Sequence, residues 1–311
     1  MRLAKQCVPR DSKIVATAKH NERHHESIEG TIKYDIRYIF CVPDITILKV
    51  AGSLTPWAPL ALLQCLDRNL SNVTGGFRLD FVESASMGLT FGMAYQSLID
   101  RLEIKQNENV GILIINGGGG VGSAAIQIAR KVLQLPVVIA TASRPETMDS
   151  CRMGATHVVN HREDLESQIK ALNLDVPIKY VYVVARTEQY IHVLGKICAP
   201  FAKVCSIVQA KFDLYGTEFM SKSMTFSWNW LGTAAYHRTI LENYQRAFEA
   251  LAHYVDEGKL VPNLNKRLKL NVAGLKEAHR LIESATTVGK IALGVDEPGE
   301  ALHFPEKGCS P

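Results

Sequence analysis

Gly117, Gly119 and Gly122 occupy the positions of a G-x-G-x-x-G pattern inside VGILIINGGGGVGSAAIQIAR, residues 110–130. Glycine at these spacings suits a diphosphate. Gly117 permits a tight turn, Gly119 lets the backbone approach the phosphates, and Gly122 lets the next helix pack closely on the preceding strand. The first N–H groups of that helix have no internal partner and point at the anion, aided by the helix dipole. The surroundings agree. Val110, Ile112, Leu113, Ile114 and Ile115 read as a strand buried on both faces. From Val121, the residues Val121, Ala124, Ala125 and Ile128 fall at helical spacing. Strand, glycine turn and helix in that order predict a dinucleotide site.

The end of the following strand, PVVIATA at 136–142, selects the cofactor. A carboxylate there would bond the adenosine ribose and repel a 2′-phosphate. This chain instead carries Ser143 and Arg144. A guanidinium on a phosphate is a charge-assisted bond worth about 1.5–3 kcal/mol. That predicts roughly tenfold to hundredfold preference for NADPH over NADH. A cation also opposes the dipole at a helix start, so Arg144 reads better as a phosphate ligand than as a solvated side chain.

These residues need a sheet to hold them. Strands are predicted at 157–160, 180–184 and 202–208, separated by helices over 163–172 and 188–197. That alternation predicts an α/β fold with a doubly wound parallel sheet, its ligands beyond the carboxyl ends of the strands. Ala185, Ser206, Ile207 and Val208 would then face the nicotinamide. A helix over 83–102 precedes the cofactor turn. Residues 222–230 read as a strand whose Trp228 and Trp230 line a substrate pocket or pack in a core or interface. Residues 239–257 form an amphipathic helix with Ile240, Tyr244, Ala247, Phe248, Leu251 and Val255 on one face, stopped by Gly258. A strand at 267–272, a helix at 273–284 and a closing strand at 289–295 follow. Residues 35–50 hold one or two strands interrupted by Pro43.

Bulk properties narrow the class. At 311 residues, 47% hydrophobic and 21% charged, the chain has room for two ordinary globular domains. A net charge of +4, without a basic stripe interleaved with aromatics, does not point to nucleic acid. No apolar run reaches the length of a membrane span, and MRLAKQCVPRDSK lacks the apolar core of a secretory signal. A cytoplasmic protein acting on a small molecule is expected. The seven cysteines form no C-x-x-C, which predicts free buried thiols. His20 and His24 would share a helix face but have no third ligand at defined spacing, so no metal is expected.

From Glu83 to Val295 the chain resembles the medium-chain dehydrogenase/reductase superfamily, in its zinc-type alcohol dehydrogenase-like and quinone oxidoreductase-like branch. The resemblance rests on LTFGMAYQSLIDRL, IINGGGGVGSAAIQIA, ATASRPET, MGATHVVNHRE, KVCSIV, FSW at 226–228, and EAHRLIES followed by VGKIAL. It implies a Rossmann domain over 88–257 and a smaller β-rich, GroES-like catalytic domain, here atypical, from 1–87 and 258–296. Residues 297–311 would be a flexible tail. It also implies NADPH, hydride transfer to a quinone, enone or carbonyl, and a homodimer. Gly119, Gly120, Val121 and Gly122 match the family's pyrophosphate loop, and Ser143 and Arg144 its 2′-phosphate site. His161 stands where quinone reductase relatives often carry Tyr. The G-x-D-x-x-G-x-V signature, the zinc-binding Cys and Gly-His-Glu and the four structural cysteines have no counterpart, and Met93 replaces a usual Thr. The expectation is therefore a zinc-independent reductase, with water, Tyr95 or Tyr236 as proton source. The alternatives are an NADPH-binding pseudoenzyme or sensor, and a zinc-dependent alcohol dehydrogenase.

Overall fold

The computed structural model describes residues 39–42, 45–48, 79 and 81–294, apart from 152, 238 and 241. Its centre is β3 (Gly111–Ile115), whose five residues are all buried. Side chains alternate across a strand, so Ile112 and Ile114 enter one core while Leu113 and Ile115 enter the other. Tyr180 and Tyr182 against Val181 and Val183 repeat the division on β6 (Ile178–Val183). A sheet covered on both faces explains why β3 reads as a continuous apolar run.

Beside these lie β4 (Val137–Ala142), β5 (His157–Asn160), β7 (Lys203–Ser206) and β8 (Thr225–Trp228). The six strands pair in the order β5-β4-β3-β6-β7-β8, all parallel. The order reverses beside β3, and ligands of such sheets bind at that switch point. One face is covered by α1 (Phe81–Tyr95), α2 (Gly120–Gln127) and α8 (Glu242–Asp256), through Phe91, Ile126 and Phe248. The other is covered by α4 (Leu165–Ala171) and α5 (Thr187–Ile197), through Leu165, Ile169, Ile191 and Leu194. Two short helices, α6 (Glu218–Ser221) and α7 (Thr233–His237), flank β8, and α3 (Pro145–Cys151) follows β4.

A second sheet has four strands. β1 (Ile39–Val42) and β2 (Ile45–Leu48) form an antiparallel pair, two strands where the sequence allowed one or two. Next to β2 lies β10 (Lys290–Gly294), parallel to β9 (Leu264–Lys269), with α9 (Val272–Glu283) connecting the last two.

Several boundaries move. Ile240, assigned to the apolar face of the long helix, adopts φ 45° and is 59% exposed. The left-handed backbone breaks helical geometry there, so α8 starts at Glu242. Tyr244, Ala247, Phe248, Leu251 and Val255 are buried on it, and Gly258 follows at φ 69°. The predicted strand at 267–272 lies instead at Leu264–Lys269, because Asn271 caps α9 by accepting from the Gly274 N–H at 2.8 Å. The helix that begins at Phe81 widens into a π-helical turn over Gln96–Arg101, which buries Ser97 and Leu98. There the Ser97 hydroxyl donates to Tyr182 Oη at 3.0 Å and accepts from Asn229 at 2.9 Å. His20, His24 and residues 297–311 lie outside the described residues.

Lys222 closes the carboxyl end of α5, donating from Nζ to the carbonyls of Gly195, Lys196 and Cys198 at 2.7, 3.1 and 2.8 Å. A cation suits a helix C-terminus and satisfies carbonyls that have no helical partner. Lys222→Met should therefore cost about 1–3 kcal/mol. Thermal denaturation should show a melting point lowered by several degrees, with cofactor binding to the folded protein unchanged.

Candidate functional site

The chain leaves β3 through Asn116, whose φ of 65° makes the tight turn. Its N–H donates to Thr141 Oγ1 at 2.9 Å, and the Gly117 N–H donates to the Thr141 carbonyl at 3.0 Å. This reassigns one glycine. Gly117 is required by packing rather than by the turn: a Cβ there would stand 2.8 Å from both Ala140 Cβ and Cys151 Sγ. Asparagine tolerates the left-handed region better than most residues, so the turn itself falls to Asn116. Gly118 is pressed against Thr147, 2.6 Å from where its Cβ would be. At Gly122 the same test gives 2.2 Å to the Asn116 carbonyl oxygen, which matches the close strand–helix approach predicted for it.

Gly119 differs. A Cβ there would meet nothing nearer than 3.6 Å, and its φ of −80° suits any residue. It is the N-cap of α2 and supplies no side-chain bond to the helix. Among the described residues no atom requires glycine at this point, so the open space fits a ligand against the backbone. Val121, half-buried, packs on the core below the loop.

The loop is held from the far end of the chain. Gly119 bridges Gly289, and the Gly289 N–H donates to the Gly118 carbonyl at 3.0 Å. Asn263 Nδ2 donates to the Gly120 carbonyl at 2.5 Å and to Ser123 Oγ at 2.9 Å. Gln127 exchanges two bonds with the Val261 backbone, at 3.1 and 2.9 Å. Lys290 lies across Gly120, its Cδ 2.7 Å from a Cβ position there. Half-exposed by surface area, Lys290 is still crowded enough that desolvation lowers its pKa.

Arginines follow β4, β5 and β6. Arg144 follows β4, its backbone fixed by Thr147 Oγ1, which bonds its N–H at 3.1 Å and its carbonyl at 2.8 Å. Ser143 beside it is half-buried. His161 follows β5, its Nδ1 buried without a hydrogen-bond partner. Burial, then the charges of Arg162, Arg186 and Arg144, hold this imidazole below its ordinary pKa.

Past β7 the residues predicted to face the nicotinamide divide. Ser206 is fully buried, its hydroxyl 2.6 Å from Thr187 Oγ1, which donates to the Val208 carbonyl at 2.8 Å. Ile207 packs on the core, while Val208 is 36% exposed. Trp228 and Trp230 belong to separate ring clusters, the first with Phe226 and Phe212, the second with Tyr236. Tyr95 is buried on the α8 side, where burial and Tyr254 raise its pKa. Met93 is buried, its sulfur 3.5 Å from Asn229 Nδ2.

Zinc needs deprotonated or neutral donors in a cluster. Among the described residues no three of His, Cys, Asp and Glu gather for a metal. Burial pushes the thiols of Cys151 and Cys198 up to about 12 and that of Cys205 to about 11. Those thiols remain protonated at neutral pH.

A zinc-binding dehydrogenase family model matches residues 153–293. A zinc-type alcohol dehydrogenase-like protein of Staphylococcus aureus (strain COL) is 32% identical over 220 residues, 68% of this chain and 65% of that protein. A solved protein from Rhizobium etli CFN 42, provisionally named a zinc-dependent alcohol dehydrogenase, aligns with TM-score 0.64 at 34% identity. It covers 72% of this chain and 65% of its own. The chain belongs to the medium-chain dehydrogenase/reductase superfamily. It spans about 65% of the length of those relatives. A trans-enoyl reductase of Aspergillus terreus is also similar, 26% identical over 70% of this chain and 59% of its own.

Three residues beside the superfamily's glycine turn and adenosine end escape a reading of local pattern: Asn263, Lys290 and Arg186. The first two reach the turn only through the path of the second sheet. Arg186 carried a local signal, a basic residue just past a buried strand. The glycines are separable by experiment. Gly119→Ala should fold with unchanged melting temperature yet lose nicotinamide dinucleotide binding by tenfold or more, because only a ligand needs that space. Gly122→Ala should fail to fold or melt far lower. Calorimetric titration and thermal melts on both variants make the comparison.

Proposed function

We propose that this chain is an oxidoreductase that binds NADPH along the carboxyl ends of β3, β4, β5 and β6. It would transfer hydride to a quinone, enone or carbonyl compound without zinc. The observation that carries the cofactor reading is the adenosine end. Arg144 and Arg186 follow β4 and β6, the His161 nitrogen after β5 is buried without a partner, and the charges acting on that imidazole are arginines with no carboxylate among them. A 2′-phosphate supplies the missing acceptors and countercharge.

The residues divide the work. Gly119, Gly120, Val121 and Gly122 present the α2 backbone to the pyrophosphate, with Lys290 lying across Gly120. Arg144 and Ser143 hold the 2′-phosphate. Thr187 and Ser206, bonded to each other beneath the nicotinamide end, keep the Ile207–Val208 backbone in place. Bound there, the cofactor supplies the hydride, and the protein contributes orientation and exclusion of water. Tyr236, 58% exposed beside Trp230, is the tyrosine we assign as proton source; Tyr95 is enclosed. Residues 88–257 would be the cofactor domain, with 1–87 and 258–296 supplying the substrate side. The enoyl reductase relative favours a conjugated alkene as acceptor.

We also assign the partner surface of a homodimer to the outer edge of β8, unpaired among the described residues and bearing Trp228 at 43% exposure. An unpaired strand edge with exposed aromatics invites a second strand.

Absorbance of NADPH followed with a panel of quinones and enones, with NADH alongside and chelator in half the samples, tests the reading. Expected are turnover at least about tenfold better with NADPH and no loss on chelation. Arg144→Ala should raise the KM for NADPH about tenfold to hundredfold and leave that for NADH nearly unchanged. Activity lost with the metal would point to the zinc enzyme. Heat stabilisation by NADPH with no turnover would point to a cofactor-binding pseudoenzyme.

A further inference from the structure

Asn263 lies one residue before β9, 7% exposed, yet its side chain serves the glycine turn of the other sheet. Nδ2 donates to the Gly120 carbonyl at 2.5 Å and to Ser123 Oγ at 2.9 Å. Oδ1 is buried and has no hydrogen-bond partner among the described residues. Turning the amide over would set Oδ1 against the Gly120 carbonyl oxygen, two acceptors face to face. The bond to Gly120 therefore fixes the amide and leaves its other atom orphaned. Packing alone does not ask for this. Ser123 Oγ also donates to the Gly119 carbonyl at 2.9 Å and lies 3.3 Å from the Gly120 carbonyl, so both groups keep a partner without Asn263. A buried amide with an unpaired acceptor, bonded to groups already partnered, is unfavourable for the fold by itself.

What the bond does is visible in the peptide it holds. A trans peptide is planar, so the Gly120 carbonyl and the Val121 N–H point in opposite directions. Fixing the first aims the second. Val121 is the second residue of α2, among the first-turn N–H groups that have no intrahelical partner and that favour an anion. The Gly289 N–H acts likewise on the Gly118 carbonyl at 3.0 Å, which aims the Gly119 N–H away from the second sheet. The Asn263 backbone is itself seated in that sheet, its carbonyl accepting from the Lys290 N–H at 2.9 Å. We propose that Asn263 is a positioning residue for the dinucleotide: by holding the Gly120 carbonyl it aims the Val121 N–H at the diphosphate, so that part of the affinity of the turn is set from the second sheet. The inference rests on the dinucleotide reading above and deepens it, and it holds for either nicotinamide cofactor. A donor aimed before the ligand arrives needs no ordering on binding.

The test compares the full chain as wild type, Asn263→Leu and Asn263→Ala, by thermal melts without ligand and by calorimetric titration with NADPH and NADH. Asn263→Leu keeps the shape, removes the orphaned acceptor and orphans no partner, so its melting temperature should equal or exceed that of wild type. Its affinity for each dinucleotide that wild type binds should nevertheless fall about tenfold, and by the same factor for both, because the diphosphate is common to them. Asn263→Ala should show the same loss of affinity, whatever its cavity does to the melting temperature. A residue that served only the fold would behave in the opposite way. A melting temperature lowered by several degrees in Asn263→Leu, or dinucleotide affinity within about twofold of wild type in either variant, overturns the inference and leaves the dinucleotide reading standing. Wild type that binds neither NADPH nor NADH removes both.

Discussion

A Cβ at Gly122 would stand 2.2 Å from the Asn116 carbonyl oxygen, and the site exists because none is there. That contact sets the distance between β3 and α2, and with it the point where the helix N-terminus faces the end of the sheet. The fully buried Ala124, Ala125 and Ile126 then settle on the core shared with Phe91 and Phe248. Side chains larger than alanine at 124 and 125 would push the helix away from β3. The dipole that attracts an anion and the packing that stabilises the domain therefore share one geometry, and neither can be altered alone.

The second constraint is the return of the chain. Residues 261–290 reach back to the glycine turn through Val261, Asn263, Gly289 and Lys290, with bonds into both the loop and α2. Positive φ at Gly289 accompanies this approach: a Cβ there would meet the Asn263 carbonyl oxygen at 2.3 Å. The cofactor turn is thus buttressed by the strands that complete the other sheet. Any motion of that sheet relative to the parallel one must break these bonds or carry the loop with it. In this way the two sheets are mechanically joined.

Charge is unevenly spread over the carboxyl ends of the parallel strands. Arg144, Arg162 and Arg186 follow β4, β5 and β6, a desolvated lysine lies across Gly120, and past β7 the hydroxyls of Ser206 and Thr187 turn to each other. Burial keeps the thiols of Cys151, Cys198 and Cys205 protonated.

The sequence by itself determined the alternation of strands and helices, the strand–turn–helix around 110–130, and the placing of Ser143, Arg144 and His161 at strand ends. Each of these is written in local spacing: a period of two or 3.6, a glycine run, a residue just past an apolar stretch. Local spacing also misassigned Ile240 to a helix, because periodicity is blind to a left-handed break, and credited Gly117 with a turn that Asn116 makes. Only the tertiary structure decided that Asn263 bonds a loop 143 residues away, that Lys290 crosses Gly120, and that Arg186 shares the field of His161. The physical reason is that a parallel sheet brings the ends of non-adjacent strands together in an order set by packing and crossover handedness. No spacing along the chain encodes which side chains meet there.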